Sequence, residues 1–322
     1  MKVAVLDDYQ NVALQLNCLK RLKERCEVVF CDNRGKSDEE IVRSLKDVDI
    51  VIAIHDRTDF HAPLLQALPN LKFISQTGGR LYTIDVEAAT RSGIRVATSF
   101  SSGTPTVEQT FNLMFAVMRH TPQEDRALRE GKWQTTIGRE LYGKTVGILG
   151  LGRIGIEVAR IAKAFGMTVL AGGLTLTPEK ALANGAEWAS MDDLFRRSDI
   201  VTIHWKLVEA TRGLIGQREL GLMKPSAILI NTARGAIVDE EALVEALSER
   251  KIAGAGLDVF TEEPTNSDHP LFQLDNVVVA PHLGFVTLEN YERSFSGAIE
   301  NILNYLDGNP TKIVNPEAQS KN

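Results

Sequence analysis

The segment Val146-Gly-Ile-Leu-Gly-Leu-Gly-Arg-Ile-Gly155 leaves little freedom for the fold around it. A short apolar run enters a Gly-x-Gly-x-x-Gly turn, and helical periodicity resumes directly afterwards over Ile154–Phe165. A second apolar run, Met167–Ala171, follows. Strand, glycine loop, helix and strand in so short a span predict a βαβ unit with its first helix opening at the loop. The first glycine permits the tight turn, the second lets a ligand approach the backbone, and the third lets helix and strand pack closely. The helix start offers free N–H groups and the positive end of its dipole to phosphate. Gly150, Gly152, Arg153, Ile154 and Gly155 are therefore the candidates for holding a dinucleotide pyrophosphate.

One part of that pattern is missing. A carboxylate is expected at the end of the second strand, where it would hold the adenosine ribose hydroxyls of NAD. The chain has Ala171-Gly172-Gly173-Leu174-Thr175 there, with no acid. Without that charge a 2′-phosphate is not repelled, and Thr175, Thr177 and Lys206 are available to meet it. The reading is NAD or NADP, with NADP tolerated or preferred. The run Trp205-Lys206 after the strand Ile200–Ile203 marks the same adenosine edge as unusual.

The alternation extends over the whole chain. Strands are predicted at Lys2–Leu6, Glu27–Phe30, Ile50–Ile54, Leu71–Ser75 and Arg95–Thr98, then at Thr145–Leu149, Met167–Ala171, Ile200–Ile203, Ala227–Ile230, Gly254–Asp258 and Val277–Ala280. Helical stretches separate them: Gln10–Arg25, a Ser37–Glu40 capping box opening a helix to Leu45, Leu64–Leu68, Asp85–Arg91, Asp239–Leu247 and Leu288–Leu306. Such alternation predicts parallel sheets covered on both faces. The apolar helix Thr104–Arg119 reads as an inter-domain spacer or a subunit contact, and the polar stretch after Gly308 as a frayed tail. At 322 residues the chain is long enough for two domains.

Composition removes other classes. A net charge of −6 gives no footprint for a nucleic-acid or anionic-membrane binder. No apolar run is long enough to span a bilayer. Cys18, Cys26 and Cys31, an odd set without a C-x-x-C, indicate neither a disulfide framework nor a zinc site, and point to a reducing cytoplasm. The histidines lack metal-ligand spacing, so no metal is expected.

From about Leu71 to Tyr305 the chain resembles the D-2-hydroxyacid dehydrogenases, the family that includes phosphoglycerate dehydrogenases and glyoxylate/hydroxypyruvate reductases. The matching stretches run in order: Leu141–Gly155, Met223-Lys-Pro, Asn231-Thr-Ala-Arg-Gly235, Leu257-Asp-Val-Phe-Thr-Glu-Glu-Pro264 and Pro281-His-Leu-Gly284. The resemblance implies an α/β chain of two doubly wound parallel-sheet domains, with a Rossmann NAD(P)-binding domain at 100–287 inserted into a flavodoxin-like substrate domain at 1–99 and 288–322. It also implies an active site in a cleft, a small 2-oxo or 2-hydroxy acid substrate, and a homodimer.

Three residues line up with that family's catalytic set: Arg234, Glu263 and His282. Reduction of a 2-oxo acid needs a cation for the carboxylate, and a planar guanidinium grips it bidentately. It also needs a proton for the oxygen that becomes an alkoxide, and an imidazolium supplies one. A carboxylate on the other ring nitrogen fixes the tautomer. Glu262 competes with Glu263, and the residue directly before Pro264 matches the family. The same resemblance assigns Thr232, Ala233 and Asp258 to the nicotinamide side, and Gly78 and Gly79, in Gln76-Thr-Gly-Gly-Arg80, to the substrate carboxylate. His55 stands where an arginine is frequent in the family. Losing that fixed charge argues against phosphorylated substrates and for glyoxylate, hydroxypyruvate or a larger apolar 2-oxo acid. Arg57 and Arg80 are either substrate contacts or structural. The competing function is a dinucleotide-sensing, corepressor-like binding protein with little turnover.

Overall fold

A computed structural model describes residues 1–319. The chain divides into two compact units, one made of Met1–Ser102 with the segment from Val286 onward, the other of Gly103–Phe285.

Unit 1 holds β1 (Lys2–Leu6), β2 (Glu27–Cys31), β3 (Ile50–Ile54), β4 (Phe73–Thr77) and β5 (Arg95–Thr98) in the order β2-β1-β3-β4-β5. Every pairing is parallel. All five residues of β3 are buried, as a strand covered on both faces requires. One face carries Ile41, Leu45, Leu64, Leu65, Ala88 and Ala89 from the helices Asp38–Leu45, Ala62–Gln66 and Val86–Arg91. The helices Asn17–Lys23 and Leu288–Leu306 pack together, and the latter lies on β3, β4 and β5. Ser37 and Glu40 form the expected reciprocal cap.

Two expectations for this unit fail. The helix read over Gln10–Arg25 is present only as Asn17–Lys23. Asp8 captures the N–H groups of Val12 (3.0 Å) and Ala13 (2.8 Å), and Asn11 takes a left-handed conformation, so the chain turns before it coils. The tail is not frayed over residues 312–318. Ile313 bridges Ala97 antiparallel, and Asn315, fully buried, accepts from Val96 N–H (2.8 Å) and donates to Thr90 Oγ1 and Ile94 O (2.9 Å each). Those bonds cover the open edge of β5.

Unit 2 holds β6 (Thr145–Leu149), β7 (Thr168–Gly172), β8 (Glu187–Trp188), β9 (Ile200–Ile203), β10 (Ile228–Asn231), β11 (Gly254–Leu257) and β12 (Val277–Val279). The order β12-β11-β10-β9-β6-β7-β8, all parallel, reverses between β6 and β9. That reversal is a topological switch point, where open α/β sheets bind ligands. The helix Thr104–Arg119 is no spacer. Its Val107, Phe111, Leu113, Met114, Val117 and Met118 sit in the core of this unit, with the helix Arg153–Ala164 covering the same face. The helices Met191–Arg197, Gln217–Leu222 and Glu240–Ser248 cover the other. The helix Thr121–Arg129 and the two-residue β8 were not foreseen. The helix opens on Pro122, a legible start signal, whereas two residues carry no period.

Candidate active site

The glycine loop follows β6 at the switch point. Gly150 has φ +97°, open to glycine at little cost, and its N–H bonds Gly172 O (3.1 Å). Gly152 starts the helix Arg153–Ala164 with no side-chain cap, and a Cβ there would meet nothing within 4 Å, so a ligand can reach this backbone. At Gly155 a Cβ would stand 2.2 Å from Gly150 O, which makes the third glycine a packing requirement. An uncapped helix start in an open cradle suits a pyrophosphate, so these residues fit the dinucleotide they suggest.

The three candidate catalytic residues come from loops after β10, β11 and β12, all at carboxyl ends of strands. His282 Nδ1 and Glu263 Oε2 lie 2.6 Å apart, and Glu263 Oε1 accepts from Phe260 N–H (2.8 Å). Burial alone would raise the Glu263 carboxyl. The bond to His282, the His282 charge, the Phe260 N–H and the charge of Arg234 outweigh it and hold the carboxyl below its ordinary 4.5. With Nδ1 engaged, Nε2 is the ring nitrogen left for a ligand. Glu262 is exposed and takes no part in this pairing.

Other residues hold this geometry. Asn231, closing β10, accepts from Ala233 N–H and donates to Arg234 O (3.0 Å each), which fixes the loop carrying the guanidinium. A Cβ at Gly235 would lie 2.0 Å from the Phe260 carbonyl carbon, so the arginine and glutamate loops touch backbone to backbone. His282 has φ +54°, and its N–H bonds Asp258 O (2.8 Å). Asp258, assigned by resemblance to the nicotinamide side, spends its carboxylate on protein donors: Leu283 N–H (2.8 Å), Gly284 N–H (2.7 Å) and Gln109 Nε2 (2.9 Å). Burial pushes its pKa up against those bonds. Its evident work is to anchor the His282 loop.

Sequence reasoning missed a second support. Glu240 accepts from Thr261 N–H (3.3 Å) and pairs with His269 Nε2 (2.9 Å), while His269 Nδ1 accepts from Leu271 N–H (3.3 Å). The pair ties down the stretch that leads to Glu263. Residues 29 apart in sequence leave no local signal for it.

Thr232 is buried, and its hydroxyl meets Thr110 Oγ1 (2.9 Å), leaving backbone groups of Thr232 and Ala233 as its ligand-facing candidates. Thr175 and Lys206 are exposed, whereas Thr177 is committed as the cap of the helix Pro178–Ala183. His204 is half-buried with its Nε2 3.0 Å from Thr202 Oγ1, and desolvation of the ring pushes its pKa down to about 3, which keeps it neutral.

In unit 1 the two candidate glycines separate. Gly78 has φ +133°, and its N–H already meets Ser99 Oγ and Gln76 O (3.0 Å each). Gly79 is exposed. The His55 ring covers Gly78 so closely that a Cβ there would lie 2.6 Å from Cε1. Arg57 bonds Asp7 O and Tyr291 Oη and stacks on Tyr9 (4.2 Å), which gives it a structural role.

The sequence profile of the D-isomer specific 2-hydroxyacid dehydrogenase NAD binding domain matches residues 111–284. A glyoxylate reductase of Aeropyrum pernix is 43% identical over 291 residues, which is 87% of this chain and 86% of that protein. A D-3-phosphoglycerate dehydrogenase of Archaeoglobus fulgidus is 40% identical over 281 residues, and the match spans about half of its length, 53%. Among solved structures, a putative D-3-phosphoglycerate dehydrogenase oxidoreductase from Ralstonia solanacearum superposes with a TM-score of 0.95 at 38% identity, covering 99% of this chain and 98% of that one.

Proposed function

The chain belongs to the D-isomer specific 2-hydroxyacid dehydrogenases, and from that premise we propose that it moves hydride between a nicotinamide dinucleotide and a small 2-oxo/2-hydroxy acid, acting mainly as a reductase. The carrying observation is the 2.6 Å His282–Glu263 pair beside the charge of Arg234, at the carboxyl ends of the strands in the unit that bears the glycine loop.

A bound reduced nicotinamide supplies the hydride. Arg234 grips the substrate carboxylate and orients the carbonyl. His282 carries a proton on Nε2 and gives it to the carbonyl oxygen as negative charge develops there; in the reverse direction the neutral ring takes it back. Glu263 keeps Nδ1 protonated and the ring aimed. Backbone groups of Thr232 and Ala233 serve the nicotinamide side, and Asp258 holds the loop that presents His282. In unit 1, the exposed Gly79 and the His55 loop are the substrate contacts.

His55 in place of a fixed cation favours glyoxylate, hydroxypyruvate or a larger apolar 2-oxo acid over phosphorylated ones. The test is a panel of 2-oxo acids with each reduced cofactor. Turnover is expected with an unphosphorylated acid, at a kcat/KM at least about tenfold above that for phosphohydroxypyruvate. Dinucleotide binding without turnover on any acid would overturn the enzyme reading in favour of a sensor.

The active form is a homodimer. Leu128, Trp133, Ile137 and Tyr142 are exposed along one stretch of unit 2, Ile137 at 91% and both aromatics at 77%. So much exposed apolar surface on neighbouring positions fits an interface. Light scattering is expected to give twice the chain mass, and Trp133→Ser/Ile137→Asp to halve it. No helix of the described residues is long and apolar enough to cross a membrane. All three cysteines are free.

A further inference from the structure

The second strand of the glycine-loop unit ends without its acid, and the structure shows what stands there instead. A Cβ built on Gly173 would lie 3.2 Å from Trp205 Nε1, and one on Gly150 would lie 2.7 Å from Trp205 Cδ1. The indole follows β9, across the switch point from the loop after β6, and covers both glycines. Its other side packs on the core of the unit. At Gly172 a Cβ would stand 2.9 Å from Leu194 Cδ1 and 3.2 Å from Ala189 O, so a side chain there would have to push the leucine aside. An acid in exchange for the glycine at 173 would crowd the indole, which would have to give by a few tenths of an ångström to admit even its Cβ.

The exchange also inverts polarity. A carboxylate accepts from ribose hydroxyls and repels phosphate. An indole N–H only donates. Among the described residues Trp205 Nε1 has no partner, whereas Trp188 Nε1 donates to Leu176 O (3.0 Å). Glu179, the first carboxylate after the strand, is turned onto Thr177 and its own helix start, which hold its pKa down. Lys206, next to the indole, and Thr175 are exposed. The edge therefore presents the indole N–H, with the cation of Lys206 adjacent to it in sequence.

We propose that Trp205 sets the cofactor preference of this chain: by filling the volume vacated at Gly173 with a hydrogen-bond donor, it makes a dinucleotide bearing a 2′-phosphate bind at least as tightly as one without. The proposal rests on the dinucleotide reading of the glycine loop. The test is calorimetric titration with ADP-ribose and with 2′-phospho-ADP-ribose, probes that need no turnover. The wild-type protein is expected to bind the phosphorylated probe as tightly or more tightly. Gly173→Asp alone is expected to lower the thermal midpoint, because the new side chain meets the indole. Gly173→Asp/Trp205→Val is expected to recover that midpoint and prefer ADP-ribose by about tenfold or more. A wild-type preference for ADP-ribose above about tenfold, or a double variant with the wild-type ratio, overturns the proposal. Binding of neither probe by the wild-type protein removes the dinucleotide reading, and the proposal with it.

Discussion

Replacing His282 by alanine is expected to lower kcat for 2-oxo-acid reduction by about 10²–10⁴-fold, the usual contribution of a positioned proton donor, with a much smaller change in the dissociation constant of the cofactor. The argument is geometric. Nδ1 is 2.6 Å from Glu263 Oε2, so Nε2 is the ring nitrogen left for the proposed proton transfer. Steady-state kinetics read the effect, and a kcat for His282→Ala within about threefold of wild type would assign the proton to another group. The depressed pKa of Glu263 adds stability that is present above 4.5 and lost as pH falls through the folded value, which thermal midpoints measured against pH would show. Glu263→Gln should lose much of the rate while His282 remains in place, since an amide can present its N–H to Nδ1 and stabilise the wrong tautomer.

The second large effect is expected at a residue without a side chain. Gly235→Ala should destabilise unit 2 by about 3 kcal/mol or more, at the upper end of overpacking costs. A change of that size lowers the thermal midpoint by roughly 6–12 °C in a domain of this size. The added methyl would lie 2.0 Å from the Phe260 carbonyl carbon, 2.3 Å from its oxygen and 2.4 Å from Thr261 N. These are backbone atoms rather than the end of a flexible side chain, and they are held by Glu263 on Phe260 N–H and Glu240 on Thr261 N–H. Because Arg234 precedes this glycine and Glu263 follows that backbone, kcat should fall together with the midpoint. A midpoint within 2 °C of wild type would show that the two loops separate easily and that their contact does not fix the site.

What could be read from the sequence was whatever short-range chemistry writes into it. The glycine loop, the capping box at Ser37 and the runs after β10, β11 and β12 are local patterns, and the structure brings Arg234, Glu263 and His282 to neighbouring strand ends. Long-range contacts left no such trace. Nothing near Gly78 indicates that Ser99, 21 residues on, takes its N–H. The role of Asp258 as an anchor depends on Gln109, 149 residues away. The gap at Gly173 was visible, but not that Trp205 fills it. Asn315 sits in a polar stretch that reads as loose, and becomes ordered only because β5 offers it an unpaired edge.

Unit 1 is built from both ends of the sequence, which bears on its synthesis. Ser75 Oγ reaches Ala298 O and Ser99 Oγ reaches Ser294 O (2.9 Å each), Phe73 stacks on Tyr305 (4.6 Å), and Asn315 holds β5. On a ribosome those partners emerge only after Gly103–Phe285 has been translated, roughly 10–40 s later at typical elongation rates. During that interval the nascent five-stranded sheet has one face and one edge open to chaperones, while the uninterrupted unit 2 has every strand it needs to finish first.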